Sequence, residues 1–333
     1  MIKRYQQLIY ITIICGILIV IVPNYTAAHE ATPETIDFDF KQEQFIAPLT
    51  TGFSSAYNQN ILKTHTPHHN GYDVILDRNA TQYIDGKFQY GDFRKDLEGE
   101  WISIYTWDLS TPHSKWKRLG REKTDKDGRI HYRISEENKL GPGLHLIKLY
   151  VEGDGTEANM YMQILNHNKK FVIFDIDGTL TINDWENIRS YLDEFVNGAY
   201  NPKMYEGAKE VVKYYANKGY EIQYLTARPY WLSGQTQKWL QKNGFPRGNL
   251  QTYSGSDILF GTKVAAYKSQ YLQFMISQGA QLDYAYGNAI TDIDAYFSAG
   301  ITSNHVFIIG PYAGLKGSIP IHNYPDHFRT LPY

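Results

Sequence analysis

The chain has 333 residues, 42% hydrophobic and 15% aromatic, enough for two domains with cores of their own. Lys and Arg number 33 against 35 Asp and Glu, a formal net charge of -2, and no basic run follows the N-terminal segment, so neither a nucleic-acid footprint nor a polybasic lipid-binding stripe is expected. The single cysteine, Cys15, lies in that segment, so the rest of the chain has no disulfide, thiol nucleophile or Cys-metal site.

In chain order, Lys3 and Arg4 precede the apolar run "LIYITIICGILIVIV" from Leu8 to Val22, followed by Pro23 and the small-residue stretch "TAA" ending at Ala28. This pattern predicts a secretory signal peptide over 1–28, or an uncleaved anchor over 8–22. The expected location is outside the cytoplasm, secreted or periplasmic, or membrane-anchored in the second case. Residues 29–70 show no sustained period and read as a linker; His65, His68 and His69 in "HTPHH" lack the ordered spacing of a metal site. From 71 to 166 the texture becomes short alternating runs, among them "WISIYTWDL", "GRIHYRI" and "GLHLIKLYVEG", separated by turns such as "DKDG". Seven such runs predict an all-β, immunoglobulin-like sandwich.

From 167 to 333 strands and helices alternate. "FVIFD", "EIQYLT", "LQTYS", "DYAYG" and "VFIIG" read as strands, and "GAKEVVKYYANKG", "QTQKWLQKNG" and a stretch from about Lys263 to Ser277 as helices. Five strands with intervening helices predict a doubly wound parallel α/β sheet, whose ligand crevice lies at the carboxyl ends of the strands. The polar residues of interest sit there. Asp175 and Asp177 close the first strand, Thr226 closes the second, and Asn288 and Asp292 follow "DYAYG". Lys268 falls in the middle of a helical arc shared with Val264, Tyr271, Leu272 and Met275, where a lysine either snorkels or meets an anion; the nearby acids favour an anion.

These residues spell DxDGT, a strand-ending Thr, an isolated Lys and an acidic final loop, a set that resembles the haloacid dehalogenase (HAD) superfamily of phosphohydrolases. "DIDGTLT", "YLTARP", "WLQKNGFPRG", "YKSQYL" and "YGNAITDIDAY" resemble the LNS2 domain shared by lipin phosphatidate phosphatases and the Nir/RdgB phosphatidylinositol-transfer proteins. "GKFQYGDF" and "GLHLIKLYVEGDGTEANMYMQIL" resemble the segment before LNS2 in the Nir group, so the likeness spans about 70–315. It implies a HAD-like fold and phosphate-monoester hydrolysis through an aspartyl-phosphate. Asp175 is then the nucleophile, Asp177 the general acid and base, and Thr226 and Lys268 the groups that hold the phosphoryl oxygens.

The resemblance also implies Mg²⁺, held by Asp175, the main-chain carbonyl of Asp177 and the loop of Asn288 and Asp292. The superfamily commonly has Gly-Asp where this chain has Gly287 and Asn288, which leaves open whether Asn288 or Asp292 is the direct ligand. The interval Asp184–Tyr205 has room for only a small cap. That suits a phosphate on a bulky or membrane-held substrate, with Trp185, Tyr230 and Trp231 near the mouth either as contacts or as packing. The expected partner is a phosphorylated, phosphatidate-like lipid, at or near a membrane surface. The alternatives are a non-catalytic phosphatidate- or phosphoinositide-binding module and a phosphatase of soluble phosphomonoesters.

Overall fold

The computed structural model describes residues 45–111, 113–166, 168–182 and 201–332. The expected signal peptide or anchor, and most of the expected cap with Trp185, lie outside the described residues. Among the described residues, no helix is long and apolar enough to cross a membrane.

The N-terminal half is built of strands β1 (Asn70–Gly71), β2 (Val74–Asp77), β3 (Tyr83–Lys87), β4 (Gln89–Tyr90), β5 (Lys95–Asp96), β6 (Trp101–Asp108), β7 (Lys117–Lys123), β8 (Arg129–Arg133), β9 (Gly143–Val151) and β10 (Glu157–Leu165). One sheet has the order β2-β10-β9-β6-β7, a second β1-β3-β8, and β4 pairs with β5 as a hairpin. The sandwich core takes Ile84 of β3 and alternate residues of three longer strands, Ile102 and Ile104, Ile147 and Leu149, Met160 and Met162, as a pleated surface requires, with Phe88 from the link between β3 and β4. The β-sandwich expected from the sequence is present, with one parallel pair in it. Strand β2 runs parallel to β10, and β9 and β10 are buried on both faces. At the free edge, β7 exposes Lys117, Arg118, Arg121 and Lys123, charges that discourage edge-to-edge pairing.

The stretch expected as linker differs from that reading over its described part. A short helix, α1 (Ala56–Asn60), follows Ser55, and Phe53 and Leu62 enter the sandwich core. The buried carboxylate of Glu100 accepts hydrogen bonds from the backbone N–H groups of Ser54 (2.9 Å) and Ser55 (3.0 Å) and from Asn58 Nδ2 (2.7 Å). Polar anchoring of this kind leaves no hydrophobic period to read.

The C-terminal half holds β11 (Lys169–Phe174), α2 (Ala208–Asn217), β12 (Glu221–Pro229), α3 (Ser233–Lys242), β13 (Asn249–Tyr253), α4 (Thr262–Ser277), β14 (Ala280–Gly287), α5 (Ile290–Ser298), β15 (Val306–Ile309), β16 (Ile319–Ile321) and α6 (Tyr324–Thr330). All strand pairs are parallel, in the order β13-β12-β11-β14-β15-β16. The sixth strand, β16, was not expected; it is three residues long and contains Pro320, which an edge position tolerates. In β11, Val172 and Phe174 face one helical layer with Val211, Tyr215 and Trp239, while Phe171 and Ile173 face the other with Leu272 and Ile293. Burial on both faces explains the unbroken apolar run before Asp175.

The two halves share these cores. Leu146 and Tyr161 of the sandwich join the first layer, and Ile75 and Leu165 join the second. Asp73 bridges the seam, accepting hydrogen bonds from the N–H groups of Tyr161 on β10 and Leu250 on β13, both at 2.8 Å. Its burial pushes the carboxyl from 3.8 up to about 7, against the pull of those two bonds.

Candidate active site

Beyond β11 the backbone turns within a few residues. Asp175 N–H still donates to Tyr286 O of β14 at 3.0 Å, and the N–H groups of Leu180 and Thr181 both return to Ile176 O, at 2.8 and 2.9 Å. Gly178 makes this turn possible. Its φ is +74°, and a Cβ there would stand 2.1 Å from Asn288 Nδ2. The turn aims Asp175 and Asp177 toward the ends of β12 and β14. Thr181 and Met204 then pair as an antiparallel bridge, pinning the chain on both sides of the interval expected as the cap.

The structure brings all six expected residues together. Asp175, Asp177, Thr226, Lys268, Asn288 and Asp292 are each buried, none more than 7% exposed. Lys268 Nζ lies 2.6 Å from Asp175 Oδ1 and 2.6 Å from Asp292 Oδ1. The lysine on the apolar arc therefore meets anions and does not snorkel. Burial alone would lower its pKa, but the two carboxylates outweigh that and raise it, holding the ammonium protonated. Burial, reinforced by Asp292 and Asp177, pushes Asp175 up to about 7 although Lys268 pulls it down.

Asp292 has both oxygens engaged. Oδ1 takes Lys268, and Oδ2 accepts from the backbone N–H groups of Asn288 (3.0 Å) and Ala289 (3.1 Å) at the start of α5. Asn288 Oδ1 instead faces the loop after β11, 3.4 Å from Thr179 Oγ1, which donates to Asp175 Oδ2 at 3.0 Å. Thr226 Oγ1 donates to Asp177 Oδ2 at 3.2 Å and accepts from Arg228 N–H at 3.2 Å.

Residues 172–310 match the family described as PITM 1-3, LNS2 domain, and residues 67–164 match the PITM 1-3, beta-sandwich domain. The C-terminal half belongs to the LNS2 family. Protein retinal degeneration B of Drosophila melanogaster is 30% identical over 251 residues, covering 75% of this chain and 19% of that protein. Membrane-associated phosphatidylinositol transfer protein 3 of Homo sapiens is 30% identical over 252 residues, covering 75% of this chain and 24% of that protein. The chain thus spans a minor part of either relative's length. Among solved structures, a phospho-aspartyl intermediate analogue of phosphoserine phosphatase aligns with 50% of this chain and 100% of its own, at 17% identity and a TM-score of 0.34.

In this LNS2 domain the residue that sequence reasoning missed is Arg228. It is wholly buried, and donates to Asp177 through Nη2 (2.6 Å to Oδ1) and Nε (2.9 Å to Oδ2), and to Thr236 Oγ1 through Nη1 (2.9 Å). The fork geometry fixes the plane of the Asp177 carboxylate, which a lysine would not do. A cation inside the fully buried end of β12 was the available signal. Of the aromatic residues expected near the LNS2 mouth, Tyr230 is buried and donates to Gln89 Oε1 of the sandwich at 3.2 Å, so it is packing. Trp231 is half-buried and donates from Nε1 to Ser256 O at 3.1 Å. A cavity of about 670 Å³ lined by Tyr214, Tyr215, Tyr284, Phe307 and His327 shares no residue with the site.

Proposed function

We propose that this LNS2 domain is a Mg²⁺-dependent phosphatase of phosphate monoesters borne by phosphatidate-like lipids. What supports the reading most is the pair of buried carboxylates at the end of β11, each held by its own cation: Asp175 by Lys268, Asp177 by Arg228. A nucleophile beside an ammonium, and an acid and base oriented by a guanidinium, are the parts that stepwise phosphoryl transfer needs.

In the proposed first step a carboxylate oxygen of Asp175 forms a bond to phosphorus while the ester P–O bond breaks, and the leaving alkoxide takes a proton from Asp177. In the second, Asp177 removes a proton from water, the resulting oxygen bonds to phosphorus, and the bond to Asp175 breaks, returning the free carboxylate and inorganic phosphate. Lys268 and Thr226 offset charge on the phosphoryl oxygens, and Asp292 holds Lys268 in place.

The residues present fit a divalent cation. Three buried carboxylates face only two buried cations, Lys268 and Arg228. Asp175 Oδ2 and Asn288 Oδ1 also lie within 3.0 and 3.4 Å of the same Thr179 hydroxyl, hard oxygen atoms of the kind such a cation takes. Asp175, Asn288 and the main chain of Asp177 would hold the ion, with Asp292 behind them; Mg²⁺ would offset the repulsion between an anionic nucleophile and an anionic phosphate. Export through the N-terminal segment belongs to the same proposal.

The second reading is a lipid-phosphate-binding module. It is favoured by relatives named as transfer proteins and by the ion pairs that occupy both working carboxylates. Phosphate release from phosphatidate vesicles and from soluble phosphomonoesters, with Mg²⁺ or chelator, compared between wild type and Asp175→Asn, separates the readings. Mg²⁺-dependent release from vesicles, lost in Asp175→Asn, is expected. Vesicle binding without release would favour the module, and release from soluble esters alone would change the substrate class.

A further inference from the structure

The sandwich hairpin β4–β5 meets the α/β domain at the end of β12 that carries Thr226 and Arg228. Gln89 takes the Tyr230 hydroxyl, and the guanidinium of Arg94 lies 5.5 Å from the centre of the Trp231 ring. The hairpin is backed by the preceding segment, since Gly91 N–H donates to Thr66 O and His68 N–H to Gln89 O, both at 2.8 Å. Its tip is a formed turn, with Gly91 at φ +72° and Arg94 at φ +50°, a conformation unusual for a residue with a side chain. Between them Phe93 is fully exposed, at 102%.

The charges around this tip do not cancel. Asp96 pairs with Lys87 at 2.7 Å, and Glu98 pairs with Lys95. Arg94 is half-buried, yet among the described residues its guanidinium has neither a hydrogen-bond acceptor nor an ion-pair partner. Lys238, exposed on α3, also has no ion pair among the described residues. His68, between them, feels both: burial first, then Arg94 and Lys238, lower its pKa, with only Asp92 opposing. Among the described residues, two cations without an ion pair and a bare phenyl ring thus stand against one acid without an ion pair, Asp92, close to the end of β12.

We propose that Phe93, Arg94 and Lys238 form a docking surface for an anionic membrane, Phe93 entering the interfacial layer while the two cations meet lipid phosphates. A free anion would satisfy Arg94 but leave Phe93 in water, whereas an apolar partner would cover Phe93 and strand Arg94; a charged bilayer surface accommodates both. The surface rests on the reading that the substrate is membrane-held, and it assigns the sandwich a task, to press the catalytic end of β12 against the lipid.

The test uses the full chain, because any contribution of residues 1–44 is common to wild type and variants. Sedimentation with phosphatidylcholine vesicles is compared with vesicles containing an anionic phospholipid, for wild type, Phe93→Ser, Arg94→Gln and Lys238→Glu; unchanged melting transitions confirm folding. Wild type is expected to prefer anionic vesicles. Arg94→Gln should reduce that preference about fivefold, the effect of removing one cation near an anionic surface, and Lys238→Glu should reduce it further. Phe93→Ser should weaken binding to both vesicle types. Wild-type preference retained in both charge variants, no preference in wild type, or full displacement by millimolar inorganic phosphate, the sign of a free-anion site, would each overturn the surface. Asp175→Asn tells its failure from that of the catalytic reading, since that variant should lose turnover and keep vesicle binding.

Discussion

Replacing Arg228 with Met tests whether the Asp177 carboxylate is held by charge or by packing. The guanidinium is fully buried and makes contacts of 2.6, 2.9 and 3.2 Å to the two Asp177 oxygens, with Thr236 closing the fourth bond at 2.9 Å. Met fills much of the volume but leaves Asp177 a buried carboxylate with only Thr226 from this set. Breaking a buried pair from one side costs about 3–5 kcal/mol, and at ~2–4 °C per kcal/mol for a chain of this size that is a fall in Tm on the order of 10 °C. Denaturant unfolding of Arg228→Met, Asp177→Asn and the double variant makes a cycle. The double variant should cost less than the sum of the singles by on the order of 2 kcal/mol. Single costs that add within about 0.5 kcal/mol would refute the reasoning, because the pair would then contribute nothing as a pair.

Lys268→Met leaves Asp175 and Asp292 facing each other without their shared cation, so it should lose about 3–5 kcal/mol. Added Mg²⁺ should raise its melting temperature more than that of wild type, and equal shifts in thermal denaturation would contradict the site's charge balance. Gly178→Ala places a methyl where Asn288 Nδ2 now sits and forces alanine to a φ of +74°; turnover should fall about a hundredfold from the displaced loop, as steady-state kinetics would show. For Asp73 the folded pKa lies above the unfolded one, so the folded state binds the proton more tightly. Its contribution is present below 3.8 and is lost as pH rises toward about 7, on the order of 4 kcal/mol in all. Asp73→Asn should therefore gain on wild type in stability across that window; a difference constant from pH 4 to pH 8 would refute the assignment.

The parallel sheet and its polar strand ends were legible because each depends on a local pattern. Burial on both faces writes an unbroken apolar run, and the carboxylates then stand out at its end. Lys268 was legible because a helix repeats often enough to define a face. Arg228 was overlooked because it sits in the short string "YLTARP", where only the depth of β12 shows that its charge has nowhere to go but Asp177. The different surroundings of Asn288 and Asp292 needed atoms: the Asp292 carboxylate accepts from two backbone N–H groups while the Asn288 amide oxygen faces Thr179, and four residues of spacing say nothing about that. Residues 45–70 escaped because their partner Glu100 lies far along the chain, and β16 because three residues with a proline at the centre are too short to show a period.

The seam at Asp73 changes how the protein can be cut. A fragment starting at Lys169 would retain every residue of the site yet lose Ile75, Leu146, Tyr161 and Leu165 from its two cores, and the acceptor for Leu250 N–H on its outermost strand. Such a piece should come out of solution or cling to chaperones. Chimeras that exchange the sandwich between relatives would have to carry the facing surfaces of β13 and α4 along with it.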